Sequence, residues 1–150
     1  MAELEKAANS KTWSERITAA ESLECPPHLL EKLSEDRSYK VRVAVAQNPN
    51  TPADTLAKLS EDKKQDVCLQ VAQNPNTPAA TLTKLAEDEE WSVYEKVAEN
   101  PSTPAGTLIK LAEDEDWNIR LRVAKNPNTL SSTITELAED KEWQVRADVA

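Results

Sequence analysis

The sequence predicts an all-α solenoid of six stacked short helix pairs, and three observations carry that prediction. A unit of 26 residues recurs: Val45-Ala46-Gln47-Asn48-Pro49-Asn50-Thr51-Pro52 returns at Val71 to Pro78, at Val97 to Pro104 and at Val123 to Leu130. Inside each unit, apolar columns stand at i, i+3 and i, i+4, the spacing of one helix face. Each apolar stretch is bounded by residues that start or stop helices. A fixed period of about 20–50 residues marks stacked repeats, in which no unit can bury its apolar face alone.

Helix A carries Leu30, Leu56, Leu82, Leu108 and Ile134, then Leu33, Leu59, Leu85, Leu111 and Leu137 three residues later. Its start is predicted at Thr51, Thr77 and Thr103, read as N-caps with proline at the first helical position. Thr51 with Asp54 resembles a capping box. Helix B carries Val41, Val67, Val93, Ile119 and Val145, then Val45, Val71, Val97, Val123 and Val149. Ala46, Ala72, Ala98, Ala124 and Ala150 follow, small enough for the next repeat to approach closely. Asp36, Asp62, Asp88, Asp114 and Asp140 precede helix B, where a carboxylate suits capping and the positive end of the helix dipole. Asn-Pro ends helix B, because the residue before proline is pushed out of the α region.

Run backwards, the period places Leu4 and Ala7 in the leucine columns, Trp13 in an aromatic column and Ala20 in the alanine column. Residues 1–150 therefore read as one repeat domain, with residues 1–22 a degenerate capping repeat and residues 23–150 five helix pairs of period 26. The sixth pair has Leu130-Ser131-Ser132 where Pro-Ala is expected, and Val149-Ala150 ends without a polar cap. That end is expected either to continue into a longer array or to pack against something, end-to-end self-association included.

The Asn-Pro-x-Thr-Pro turn and the Val41-Arg42 and Val45-Ala46 run resemble the bacterial leucine-rich repeat variant family, over residues 19 to 150 and by register alone over residues 1 to 18. The resemblance implies a right-handed superhelix of alternating α and 3₁₀ helices without β-strands, and a role in protein–protein contact. Some members carry an iron–sulfur cluster in a cysteine-rich segment ahead of the repeats; the sequence has no such segment, so no cofactor is expected. HEAT-like repeats are the nearest alternative, with longer units.

Composition bounds the function. Charged residues make up 30%, the net charge is −9 and aromatics are 4%. That balance argues against a phosphate track or an anionic membrane as target. No window approaches the roughly 20 apolar residues of a membrane span. Met1 to Lys6 lacks the basic start and apolar stretch of a signal peptide, so a cytoplasmic location is expected. Cys25 and Cys68 occupy different columns and are read as reduced thiols, too few for a metal site. Gly106 is the one glycine and His28 the one histidine, which leaves no phosphate-cradling loop and no obvious catalytic base. The runs Glu87-Asp88-Glu89-Glu90 and Glu113-Asp114-Glu115-Asp116 lack the spacing and glycine of a calcium loop and read as helix-start charge.

The candidate binding residues fall in three columns. Trp13, Tyr39, Trp91, Trp117 and Trp143 form an aromatic column broken at Gln65. Three residues on stand Arg16, Arg42, Arg120 and Arg146, broken by Cys68 and Tyr94. At i, i+3 each arginine is placed to stack on its aromatic as a cation–π pair. Such a ladder serves either inter-repeat packing, each arginine paired with an acid of the adjacent unit, or recognition of an extended peptide, since Trp, Tyr and Arg dominate interface hot spots. Leu69 and Leu121 lie in a column that varies between repeats and are candidates for apolar contacts. The function expected is a non-catalytic scaffold binding another protein or extended peptide of basic or mixed charge. A regulatory or sensor segment of a larger protein is the alternative, and a helical-repeat nucleic-acid-processing enzyme a distant one.

Overall fold

Helix and loop alternate at the predicted period throughout the computed structural model, which describes residues 1–149. Ala150, the last position of the alanine column, lies outside them. The A helices are α1 (Ala2–Ala8), α3 (Pro27–Ser34), α5 (Ala53–Leu59), α7 (Ala79–Leu85), α9 (Ala105–Leu111) and α11 (Ser131–Leu137). The B helices are α2 (Trp13–Glu21), α4 (Tyr39–Gln47), α6 (Gln65–Gln73), α8 (Trp91–Glu99), α10 (Trp117–Lys125) and α12 (Trp143–Val149). No strand occurs among the described residues.

The chain forms two compact units, Met1–Pro78 and Ala79 onward. In the first, α4 packs between α2 and α6, while α3 and α5 lie against α4 and against each other. In the second, α10 packs between α8 and α12, and α7, α9 and α11 each lie against the B helix that follows. Each unit thus has two layers, A helices behind and B helices beside one another.

The periodic columns are the core. Leu30, Leu56, Leu82 and Leu108 are fully buried, as are Val41, Val67, Val93 and Ile119 and the next column from Val45 to Val123. Ala20, Ala46, Ala72 and Ala98 are also fully buried, where a side chain larger than methyl would hold neighbouring helices apart. Helices of seven to nine residues are too short to persist alone in water, so this burial, and not helix propensity, stabilises them. Truncating one such leucine to alanine costs about 2–5 kcal/mol.

Three expectations are corrected. The A helices are not 3₁₀: Leu56 N donates to Pro52 O at 3.0 Å and Ser60 N to Leu56 O at 2.9 Å, both i→i−4. Bonds of the i→i−3 type appear at their ends, as from Asp62 N to Leu59 O at 3.1 Å. The threonines do not cap helix A. The N-caps of α5 and α9 are Pro52 and Pro104, without a side-chain bond, which removes the Thr51–Asp54 capping box. Instead Thr51, Thr77 and Thr103 each donate from Oγ1, at 2.6 Å, to a carbonyl near the end of the preceding helix B, at Val45, Val71 and Val97. Proline has no N–H to offer Val45 O as its i+4 donor, so that carbonyl, which takes only the i→i−3 bond from Asn48 N at 3.1 Å, draws the hydroxyl instead. The aspartates likewise stand two residues ahead of the cap: Asp36 Oδ1 accepts from Ser38 N at 2.8 Å, and Ser38 is the N-cap of α4.

Candidate functional site

At three of its rungs the arginine column fastens one repeat to the next. Arg16 donates from Nε to Asp36 Oδ2 at 2.5 Å and from Nη2 to Asp36 Oδ1 at 3.0 Å. Arg42 holds Asp62 in the same fork at 2.6 and 3.0 Å, and Arg120 holds Asp140 at 2.7 and 2.9 Å. The remaining Nη1 donates to loop carbonyls of its own repeat: Ser10 O, Asp36 O and Asp114 O respectively. Bidentate geometry is what guanidinium and carboxylate planes favour. Arg146 is exposed, with Nη1 on Asp140 O. Where Cys68 interrupts the column, its Sγ points to Ser60 O and Asp62 O, keeping the contact with the repeat's own loop.

These pairs hold the aspartates ionised. At Asp140 the Arg120 guanidinium is the largest influence; it outweighs burial and sets the carboxyl below its ordinary range. At Asp36 and Asp62 burial is the largest single influence and pushes upward. The arginine and the backbone N–H of Ser38 or Lys64 together outweigh it, so both carboxyls end low. Tyr94, in the arginine column, is raised by burial first and by Asp114 and Asp116 next.

A second ladder fastens the turns. Asn48 Nδ2 donates to Ala20 O at 2.7 Å and Ser22 O at 2.9 Å, closing the end of the previous helix B. Asn74 does the same to Ala46 O and Asn48 O, and Asn126 to Ala98 O and Asn100 O. A column that sequence reasoning passed over, Thr55, Thr81, Thr107 and Thr133, is also buried. Its period of 26 residues was the available signal.

The aromatic column faces outward. Trp13 is 48% exposed and Trp143 65%, whereas Arg16 and Arg120 are 7% and 5% exposed. Tyr39 and Trp91 are exposed and Trp117 is half-buried. The predicted stacking of each arginine on the aromatic three residues back is therefore corrected, because the guanidinium turns inward to the next repeat's carboxylate. Three of the aromatics, while exposed, each also meet one group of the next repeat. Lys40 Nζ stands 4.7 Å from the Trp13 ring centre and Lys64 Nζ 5.7 Å from that of Tyr39, while Trp91 Nε1 donates to Asp116 Oδ2 at 3.0 Å.

Four residues along helix B from the aromatics come Ile17, Val43, Leu69, Glu95 and Leu121, placing Leu69 and Leu121 on the aromatic face. Leu69, Tyr94 and Leu121 are half-buried. In the first unit this face forms a groove of about 340 Å³ lined by Ile17, Tyr39, Lys40, Val43, Ala44 and Gln70, among others. Sequence reasoning found Tyr39 but not the groove, because its other walls belong to columns that do not repeat. Arg16, Arg42 and Arg120 lie beneath the surface rather than on it. His28 lies exposed in the first turn of α3, and Cys25 is buried, its thiol pushed up by that burial. Among the described residues no group of three His, Cys, Asp or Glu could hold a metal ion, and no helix is long and apolar enough to cross a membrane.

The leucine-rich repeat variant family pattern matches residues 39–63 and 66–90. A solved leucine-rich repeat variant protein is 26% identical and superposes with a TM-score of 0.72 over 99% of this chain. This chain spans 59% of that protein's length. A designed armadillo repeat protein in complex with the peptide (KR)4 gives a TM-score of 0.62 at 14% identity, covering 97% of this chain and 95% of its own. Computationally designed armadillo repeat proteins for modular peptide recognition give 0.58 at 14% identity with the same coverage. No curated protein matches the sequence.

Proposed function

From a chain that carries leucine-rich repeat variant repeats, we propose a non-catalytic scaffold that binds an extended peptide or protein segment on the outer face of its B helices. The observation that carries this is the division of labour between adjacent columns. Arg16, Arg42, Arg120 and the asparagines are spent on joining repeats, while the B helices keep Trp13, Tyr39, Val43 and Leu69 in the first unit, and Trp91, Trp117, Leu121 and Trp143 in the second, exposed or half-buried. A core needs neither exposed tryptophans nor a column that varies between repeats, and interfaces use aromatics as anchors. A pre-formed helical face loses little entropy on binding. One fold relative in complex with the peptide (KR)4, and another designed for modular peptide recognition, support the kind of ligand.

The net charge of −9 favours a basic or mixed-charge partner, with association slowed by added salt. Proposed binding residues are the aromatics, Tyr94, Leu69 and Leu121; Arg16, Arg42 and Arg120 act from below by holding the repeats in register. Selection of random peptides on the immobilised chain tests this. Enriched peptides are expected to lose binding to Tyr39→Ala or Trp117→Ala proteins that melt normally. If the selected peptides bind both variants as well as wild type, this face is not the binding surface.

A further inference from the structure

The outer face of the B helices differs between the two units. In the second unit it is filled by its own charges. Arg122 contacts Glu95 at 3.1 Å and Glu99 at 2.7 Å, Lys96 contacts Glu99 at 2.8 Å, and Lys125 contacts Asp148 at 3.2 Å. In the first unit the corresponding positions on α4 and α6 are uncharged, Val43, Ala44, Gln47 and Gln70 among them, and only Glu21 on α2 carries a charge; there the face opens as the groove. Its floor is Ile17, Val43 and Ala44, and Tyr39 stands beside them. About 340 Å³ falls within the size range of clefts that hold small ligand groups.

Its polar groups are placed with order. Gln47 Nε2 donates to Gln70 Oε1 at 3.2 Å, linking α4 to α6. That bond leaves the Gln47 carbonyl oxygen and the other amide hydrogens to meet a peptide's N–H and C=O. Glu21 on α2 and Asp66 on α6 line the groove on the helices either side of α4. The one cation of the lining, Lys40, holds its ammonium over the Trp13 ring at 4.7 Å. The rim therefore offers two carboxylates about an apolar floor.

We propose that this groove holds an extended peptide segment that sets one aliphatic side chain over Ile17, Val43 and Ala44 and carries Lys or Arg on both sides of it. The proposal rests on the scaffold function above and names its ligand chemistry in the first unit. Three helices at roughly 8–10 Å spacing span about 20 Å, the length of about six or seven extended residues.

The test is a titration of the ¹⁵N-labelled full chain with three capped heptapeptides. They are Lys-Lys-Ala-Leu-Ala-Lys-Lys, the same peptide with Asp for Leu, and the same peptide with Glu for every Lys. The first is expected to shift the amides of Ile17, Tyr39, Val43 and Gln70. The Asp and Glu peptides are expected to bind at least about tenfold more weakly, since each loses either apolar burial or charge complementarity. Val43→Glu is expected to weaken the first peptide by a similar factor. Glu21→Gln with Asp66→Asn, both at exposed positions, is expected to weaken it about threefold and flatten its salt dependence. Equal affinity for the three peptides, or shifts confined to the B helices of the second unit, would overturn this ligand assignment and leave the scaffold standing. No shift on any B helix with any of the peptides would overturn both.

Discussion

Arg120→Ala is the perturbation whose consequence can be worked most closely from the structure. The Arg120 guanidinium makes four hydrogen bonds: to Asp140 Oδ2 at 2.7 Å, Asp140 Oδ1 at 2.9 Å, Asp114 O at 2.7 Å and Glu115 O at 3.0 Å. Its side chain is 6% exposed and that of Asp140 7%. Truncation leaves Asp140 with the Glu142 N–H at 2.9 Å but no guanidinium. Breaking a buried pair costs about 3–5 kcal/mol, most of it the penalty of the charge left behind. Here that penalty is relieved in part, because an open cavity lined by Glu113, Asp114 and Asp140 lets water reach the carboxylate. A loss of about 2–3 kcal/mol is therefore expected, or a fall in Tm of about 5–10 °C for a chain of this size. Arg146, in the same column but exposed, provides the control: Arg146→Ala is expected to cost under about 0.5 kcal/mol. Urea and thermal melts followed by circular dichroism measure both. If Arg120→Ala costs no more than Arg146→Ala, the inter-repeat fork is not a fastening and the division between inner arginine and outer aromatic columns fails.

Four further outcomes follow from the same geometry. Folding holds the Asp36, Asp62 and Asp140 carboxyls low, so their stabilisation is complete above the ordinary carboxylate pKa of about 4 and is lost as pH falls through the lower folded values. Asp140→Asn should accordingly lose less stability than wild type between neutral pH and pH about 3, by urea melts at each pH. Asn48→Ala removes bonds to two carbonyls and one N–H at a position 3% exposed and should cost about 2–4 kcal/mol in the same assay; a change within error would contradict the turn ladder. Thr51→Val keeps the shape but loses the bond to Val45 O, for a cost of about 1 kcal/mol by chemical denaturation. Tyr94→Arg restores the column opposite Asp114 and should stabilise by about 1 kcal/mol, visible as a higher Tm; destabilisation would show that the rung needs more than the residue.

The fold was legible because each core column is written five times at one spacing, and because Asn-Pro stops helix B at four turns. Fine geometry was less legible. Threonine before proline fits an N-cap as well as it fits a bond back to the previous helix, and the choice depends on which carbonyl loses its i+4 donor to proline. For Arg16, Arg42 and Arg120 the pairing with an acid of the adjacent unit was legible as one of two roles and is met, whereas the stacking read from i, i+3 spacing is not, because the next repeat's carboxylate attracts the guanidinium more strongly. The groove was the least visible feature. Ile17, Val43, Gln47 and Gln70 come from three helices and do not recur as a motif, so only the packing of α2, α4 and α6 brings them together.

The central claim is that one helix B carries two faces with separate work, and Tyr39→Ala and Arg42→Ala test it within a single repeat. Binding of a selected peptide is measured by calorimetry well below the melting temperature, with a melt of each protein. The expected result is weakened binding with an unchanged melt for Tyr39→Ala, and a lowered melt with binding retained for Arg42→Ala. The reverse pattern would place recognition on the arginines and packing on the aromatics, and would contradict the account.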